Sequence, residues 1–156
     1  MTPGVSAVIR AGISHSLHEY EHNPAHASYG LEAAEKLNVA EKIIFKTLIL
    51  DVGNKTLAVA IIPVSTTLNL KAFAKLLGVK KAQLASAPDV ERSSGYVLGG
   101  VSPLGQKKAL KTILDDSANL HETIFVSAGR RGLEIQLSPA DLCNLCNARS
   151  GKICRS

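Results

Sequence analysis

Lys46 stands inside the most apolar run of the chain, Ile43-Ile44-Phe45-Lys46-Thr47-Leu48-Ile49-Leu50. Strand alternation places Phe45, Thr47 and Ile49 on one face and Lys46, Leu48 and Leu50 on the other. An amine that shares its face with two leucines either snorkels to water or lines a pocket, where burial favours its neutral form. A second candidate is Gly99-Gly100-Val101-Ser102-Pro103-Leu104-Gly105. Adjacent glycines let a backbone approach a ligand and offer N–H donors to a carbonyl oxygen or oxyanion, although Ser-Pro suits a plain turn equally well. Ser127-Ala128-Gly129-Arg130-Arg131-Gly132-Leu133-Glu134 is the third. It reads either as a solvated hairpin loop or as two strand-end groups, Ser127 and Glu134, facing a site with the arginines turned toward an anion.

Other chemistries are excluded on spacing. Gly100-x4-Gly105-Gln106-Lys107 misses the phosphate-loop pattern, because no Lys-Ser/Thr follows the second glycine and Pro103 removes a loop N–H. His18, His22 and His26 are four apart, but Pro24 argues against a helix and no Cys or acid completes a zinc shell; His22 remains available as a polar pocket group. Cys143-Asn144-Leu145-Cys146 has redox spacing, yet it falls mid-helix rather than at a helix N-terminus, so packing is the better reading. There is no Gly-x-Ser-x-Gly elbow. A hydrolase built on this chain need not use its own nucleophile.

These groups need elements to hold them. Thr2-Pro3 caps a helix over Pro3–Arg10, stopped by Gly12. A strand is expected over Ile13–Glu21 and a helix over Leu31–Leu37. Ile43–Asp51 and Leu57–Ile62, joined through Gly53-Asn54, form a hairpin. Leu70–Leu77 is a helix closed by Gly78. Lys80–Leu84 reads as a short strand and Pro88–Arg92 as a helical turn. Thr112–Leu114, Thr123–Ser127 and Glu134–Leu137 read as strands, and Ser138-Pro139 opens a last helix reaching about Ala148. The polar stretch Ala148–Ser156 is expected to fray. The irregular interleaving predicts a single α+β domain, with helices packed on a mixed, mostly antiparallel, barrel-like sheet.

Composition narrows the partners. With 156 residues and 20% charged residues the chain is a globular domain rather than a disordered one. Aromatics are 4%, which disfavours gripping single strands by base stacking. The net charge of +5 divides as −1 over residues 1–50, +3 over 51–100 and +3 over 101–156. Lys80-Lys81, Lys107-Lys108 and Arg130-Arg131 are either solvated surface or a phosphate-tracking face. Three cysteines, no signal-peptide pattern and no apolar run near the ~20 residues of a membrane helix predict a cytoplasmic protein with no membrane partner.

Taken together, Tyr20-Glu21-His22, Tyr29-Gly30, Phe45-Lys46-Thr47-Leu48, Arg92-Ser93-Ser94-Gly95-Tyr96, Gly99-Gly100-Val101-Ser102-Pro103-Leu104-Gly105-Gln106-Lys107-Lys108 and Arg131-Gly132-Leu133-Glu134 resemble the YbaK/EbsC family. Within it the chain is similar to the YbaK-type Cys-tRNA(Pro) deacylases, relatives of the editing domain of prolyl-tRNA synthetases. The resemblance covers residues 1–148 and leaves 149–156 as a basic tail. It implies hydrolysis of cysteine mischarged on tRNA(Pro), with the substrate's own thiol attacking its carbonyl carbon and no cofactor or metal. It implies a pocket lysine at Lys46 that anchors the tRNA 3′-end through a phosphate or ribose oxygen. Gly99 and Gly100 would hold the oxyanion, and Tyr20, His22, Tyr29, Thr47, Ser127 and Glu134 would bind the aminoacyl group. Lys80, Lys81, Lys107, Lys108, Arg130 and Arg131 would face the acceptor end of tRNA(Pro), with prolyl-tRNA synthetase as partner. The family pattern often has Asp where Glu134 stands and Gly where Ala128 stands. The rival readings are a deacylase for another amino acid, such as alanine on tRNA(Pro), and a non-catalytic tRNA-binding module.

Overall fold

A computed structural model of the chain describes residues 1–26 and 28–155. The helices are α1 (Pro3–Ala11), α2 (Tyr29–Leu37), α3 (Leu70–Leu77), α4 (Ala87–Ser94) and α5 (Pro139–Cys146). Each begins at a side-chain cap, namely Thr2, Ser28, Asn69, Ser86 and Ser138, and each stops at a left-handed Gly or Asn. The strands are β1 (Ser16–Glu19), β2 (Phe45–Asp51), β3 (Leu57–Pro63), β4 (Thr67–Leu68), β5 (Gln83–Leu84), β6 (Lys111–Asp115), β7 (Ile124–Arg130), β8 (Leu133–Leu137), β9 (Ala148–Gly151) and β10 (Cys154–Arg155).

Five strands run β5-β2-β3-β6-β9, antiparallel as far as β3 and parallel beyond it. A second, antiparallel sheet runs β1-β8-β7, and an Ile44–Phe125 bridge joins it to the base of β2. This is the expected α+β arrangement, mixed and mostly antiparallel, with the sheets leaning together rather than closing into a barrel. The β2 alternation is as the sequence predicts: Phe45 and Ile49 pack in the core shared with β7 and β8, while Leu48 and Leu50 pack with Phe73 of α3. β3 is buried on both faces, Val59 and Ile61 in the first core and Ala58, Ala60 and Ile62 in the second. Its parallel neighbour β6 completes that cover.

Several boundaries differ from expectation. β1 begins three residues late, because its ladder with β8 starts at Ser16–Gln136. A short 3-10 turn takes Ile43 out of β2. Lys80 and Lys81 precede the two-residue β5 rather than belonging to it. The turn expected at Pro88–Arg92 is a full helix, since Ser86 caps it and Gly95 closes it.

The larger correction concerns the end of the chain. Residues 148–155 do not fray; Ser156 lies outside the described residues. β9 pairs with β6, and β10 pairs with β4. Between them Ile153 is 0% exposed, donates its N–H to Asp115 Oδ1 at 3.0 Å and accepts from Asn69 N–H at 2.7 Å. The Asp115 carboxyl spans 38 residues to make that contact. Ile153→Ala is expected to cost about 3 kcal/mol, the range for emptying a sealed apolar site. Urea denaturation reads it, and an unchanged midpoint would restore the frayed-tail reading.

Candidate functional site

The bases of the two sheets, the N-terminus of α2 and the loop after α4 enclose a cavity of about 320 Å³. This is the small end of the range for ligand pockets, ~300–1,000 Å³. Each wall has a local cause. β2 carries Lys46 and Thr47 to it immediately after the Ile44–Phe125 bridge fixes its base. Tyr20 follows β1 and is held by its N–H to Gly132 O at 2.9 Å. Tyr29 is the first residue of α2, placed by the Ser28 cap. Ser127 and Glu134 sit opposite one another on β7 and β8, at the last regular pair before a bulge.

The Gly99–Lys108 segment is built mainly to hold its shape. Ser102 is buried; its Oγ accepts from Leu104 N–H at 3.1 Å, and its carbonyl accepts from Gln106 Nε2 at 2.9 Å. Tyr96 anchors the loop through its hydroxyl to Leu104 O at 2.6 Å. Gly105 lies so close to α1 that a Cβ there would sit 2.5 Å from the Pro3 carbonyl. The two expected oxyanion donors separate. The Gly100 N–H is already donated to Val97 O at 2.9 Å, closing a turn, and Gly100 stays behind the wall. Gly99 lines the cavity with φ 92°, and a Cβ on it would lie 2.4 Å from Tyr29 Cε2 and 2.9 Å from Arg131 Nη2.

Burial sets the charges inside. The Glu134 side chain is enclosed, and desolvation pushes its pKa up to about 8, so it is neutral at pH 7. Burial, reinforced by the charge of Glu134, pushes the Tyr20 phenol up to about 12. Burial also lowers the Lys46 amine, which takes part in none of the ion pairs among the described residues. The Thr47 hydroxyl is buried with no hydrogen-bond partner among the described residues. A buried hydroxyl of this kind in a pocket wall is able to hydrogen-bond a bound atom or a water. Ser127 Oγ accepts from Gly129 N–H at 3.1 Å, leaving its own proton to donate.

His22 is not in the wall. Its Nδ1 lies 2.6 Å from Glu32 Oε1 and its Nε2 3.0 Å from Arg131 Nη1. The guanidinium carbon of Arg131 in turn lies 3.4 Å from the centre of the Tyr29 ring. His18 and His26 have separate partners, Gln136 and Glu35. Glu32 was missed in the sequence: it reads as an ordinary surface acid in the first turn of α2, yet it is 0% exposed. Its one signal is its position beside Ala33 and Ala34 on the packed side of the helix.

The basic residues divide. Arg130 and Arg131 reach the cavity rim, Arg130 also pairing with exposed Glu19 at 3.5 Å. Lys107 and Lys108 close the glycine loop against α4 through their backbone N–H groups to Ser94 O and Ser93 O. Lys80 and Lys81 stand before β5, which pairs with Leu50 and Asp51 at the far end of β2 from Lys46. At ~3.3 Å per residue that separates them from the cavity by more than ~13 Å along the strand. Cys146 donates to Leu142 O, and burial pushes its thiol up to about 12, which suits packing and not redox work.

Residues 22–145 match the family described as the aminoacyl-tRNA editing domain. The chain belongs to that family. It is 43% identical over 121 residues to the Enterococcus faecalis protein named "Putative Cys-tRNA(Pro)/Cys-tRNA(Cys) deacylase EbsC", covering 77% of this chain and 73% of that one. A Bacillus subtilis protein, YwhH, is 34% identical over 62 residues, 40% of each chain. Among solved structures, one described as "a putative trans-editing enzyme for prolyl tRNA synthetase" superposes with a TM-score of 0.86 at 22% identity, over 99% of this chain and 96% of that one. That match is of fold. No helix among the described residues is long and apolar enough to cross a membrane.

Proposed function

We propose that this editing domain hydrolyses cysteine from mischarged tRNA(Pro), and from Cys-tRNA(Cys), by a mechanism in which the substrate supplies the nucleophile. The observation that carries this reading is the composition of the cavity. It gathers an amine, two phenols, a carboxylic acid that burial holds neutral, three hydroxyls and two guanidinium groups, and the nearby imidazole is engaged at both nitrogens by Glu32 and Arg131. No imidazole is therefore free to activate Ser127 or Thr47. The thiol sulfur forms a bond to the ester carbonyl carbon, and the C–O bond to the ribose breaks. The thiol proton ends on the ribose oxygen. Water then opens the resulting β-thiolactone to free cysteine. The protein orients the ester and stabilises the oxyanion.

In this reading Lys46 anchors the 3′-end through a phosphate or ribose oxygen. Tyr20 and Tyr29 wall the aminoacyl group, and Thr47, Ser127 and Glu134 hydrogen-bond its polar atoms. The Gly99 N–H is the oxyanion donor, with Gly100 as its structural support. A cavity of about 320 Å³ admits an aminoacyl ester and little more, so tRNA identity comes from a complex with prolyl-tRNA synthetase in the cytoplasm. Lys107, Lys108, Arg130 and Arg131 flank the acceptor end, and Lys80-Lys81 reach it only through a more distant part of the stem.

A deacylation panel tests the reading. Cys-tRNA(Pro) and Cys-tRNA(Cys) are expected to be cleaved at similar rates by the isolated protein. Ser-tRNA(Pro), which exchanges sulfur for oxygen, is expected to be cleaved at least about a hundredfold more slowly, because a hydroxyl at neutral pH is the weaker nucleophile. Equal cleavage of Ala-tRNA(Pro) would replace thiol assistance with an alanine-editing mechanism. Binding without cleavage of any ester would leave a tRNA-binding module.

A further inference from the structure

The contacts of His22 define a chain from the protein interior to the mouth of the cavity. Glu32 is fully buried on α2 and accepts from His22 Nδ1 at 2.6 Å and from the Asn23 N–H at 2.8 Å. Burial raises its pKa, but those two hydrogen bonds, aided by nearby positive charge, outweigh it and hold the carboxyl below the usual range. An ionised carboxylate only accepts, so the proton of the short contact lies on His22 Nδ1. On the other side of the ring, Arg131 has only donors. Its Nη1–H at 3.0 Å therefore needs Nε2 as a bare acceptor. The two contacts together call for a donor at Nδ1 and an acceptor at Nε2.

The consequence falls on Arg131. A free arginine carries ~2 kcal/mol of rotamer entropy. Here Nη1 is held by His22, and one face of the guanidinium lies on Tyr29. The bare backbone of Gly99 gives the Nη2 side room to lie at the mouth. Arg130, one residue earlier, is different: it is exposed and reaches Glu19 at 3.5 Å. The hairpin thus presents one loose and one fixed cation, and the fixed one keeps an N–H edge directed at whatever enters. A planar fork with free N–H groups is matched to a phosphate.

We propose that His22 is a positioning residue which, oriented by Glu32, pins Arg131 on Tyr29 so that its guanidinium receives the phosphate of the substrate's terminal nucleotide. This rests on the deacylase reading for its substrate, and it assigns the phosphate to Arg131, leaving the ribose side to Lys46. His22 itself touches no reacting atom.

The test separates the pinning from the reaction. Adenosine 5′-monophosphate and adenosine are titrated into the parent, His22→Asn, His22→Gln and Arg131→Ala proteins. Asn keeps a donor near Glu32 but cannot reach Arg131, whereas the longer Gln carries an acceptor oxygen outward. His22→Asn and Arg131→Ala are expected to weaken the nucleotide about tenfold, the size of one charge-assisted hydrogen bond. Adenosine binding is unchanged in both, and Gln restores most of the loss. With Cys-tRNA the same two variants raise KM about tenfold at nearly constant kcat. Nitrogen-15 NMR of the parent is expected to show the His22 ring protonated on Nδ1 alone. Protonation on Nε2, or an Asn variant that binds the nucleotide like the parent, overturns the proposal. Equal losses with adenosine and its phosphate also overturn it, because they mark a merely structural role. A parent protein that shows the nucleotide effects but cleaves no aminoacyl ester removes the deacylase reading and leaves the pinning intact.

Discussion

Lys46→Met abolishes most of the deacylation while leaving the protein at least as stable as the parent. The loss expected in kcat/KM for Cys-tRNA is about a hundredfold, the cost of misplacing the reacting ester by about an ångström. The stability half of the prediction follows from the site. Lys46 is half-buried, shares its face with Leu48 and Leu50, and has no acidic partner among the described residues. Burial lowers its pKa, so the folded state holds its proton less well than the unfolded chain does. A base of that kind detracts from stability at every pH below its unfolded value, and the detriment disappears only as pH rises through that value. Met keeps the apolar stem and removes the charge. Urea denaturation beside single-turnover deacylation separates the two effects. Parent-like cleavage by the Met variant would sink the anchoring role, and a large loss of stability would reassign Lys46 to the fold.

The reach of the sequence can be judged residue by residue. The β2–β3 hairpin, the capped helices and the partition of Phe45 and Ile49 from Leu48 and Leu50 are local patterns, set by period and turn chemistry. They were legible, and they suffice to deliver Lys46 and Thr47 to one end of a strand. The family resemblance gathered Tyr20, Tyr29, Ser127 and Glu134, which no spacing rule connects. What stayed hidden depends on pairs far apart in the chain. His22 meets Arg131 across 109 residues, and Asp115 meets the Ile153 N–H across 38. Neither pair leaves a periodicity to detect. The state of the Gly100 N–H was equally invisible, because Gly-Gly fits an open donor pair and a closed turn alike. The tail departs from the expected fraying for a related reason. Its polar composition is real, but a two-residue strand needs only Ile153 beneath it and the edge of β4 beside it.

Glu134→Gln should stabilise the protein, and more so as the pH rises. Glu134 is 6% exposed and titrates at about 8, far above the ~4.3 of a carboxyl in an unfolded chain. Below about pH 4 both states carry the proton and the residue is neutral to stability. Between about 4.3 and 8 the unfolded chain ionises while the folded one does not, so the unfolded state binds fewer protons and stability falls by ~1.4 kcal/mol per pH unit. Above about 8 the folded state ionises as well and the loss levels off. Gln reproduces the shape of the neutral acid and titrates in neither state. The variant should therefore match the parent near pH 4, exceed it by ~4 kcal/mol at pH 7, and exceed it by ~5 kcal/mol at pH 9, these being ceilings for complete desolvation. The direction is opposite to that of a paired surface carboxylate, whose removal costs stability at neutral pH. Denaturant titrations at the three pH values read the slope. A carboxylate in use inside the cavity as an ion would show the reverse, with Gln less stable than the parent at pH 9. Glu134 lines the same cavity as Lys46 and Tyr20. Buried ionisable groups of this kind are concentrated at functional sites, so a Gln variant that gains stability and loses deacylation together would support the proposed role of Glu134 in the cavity.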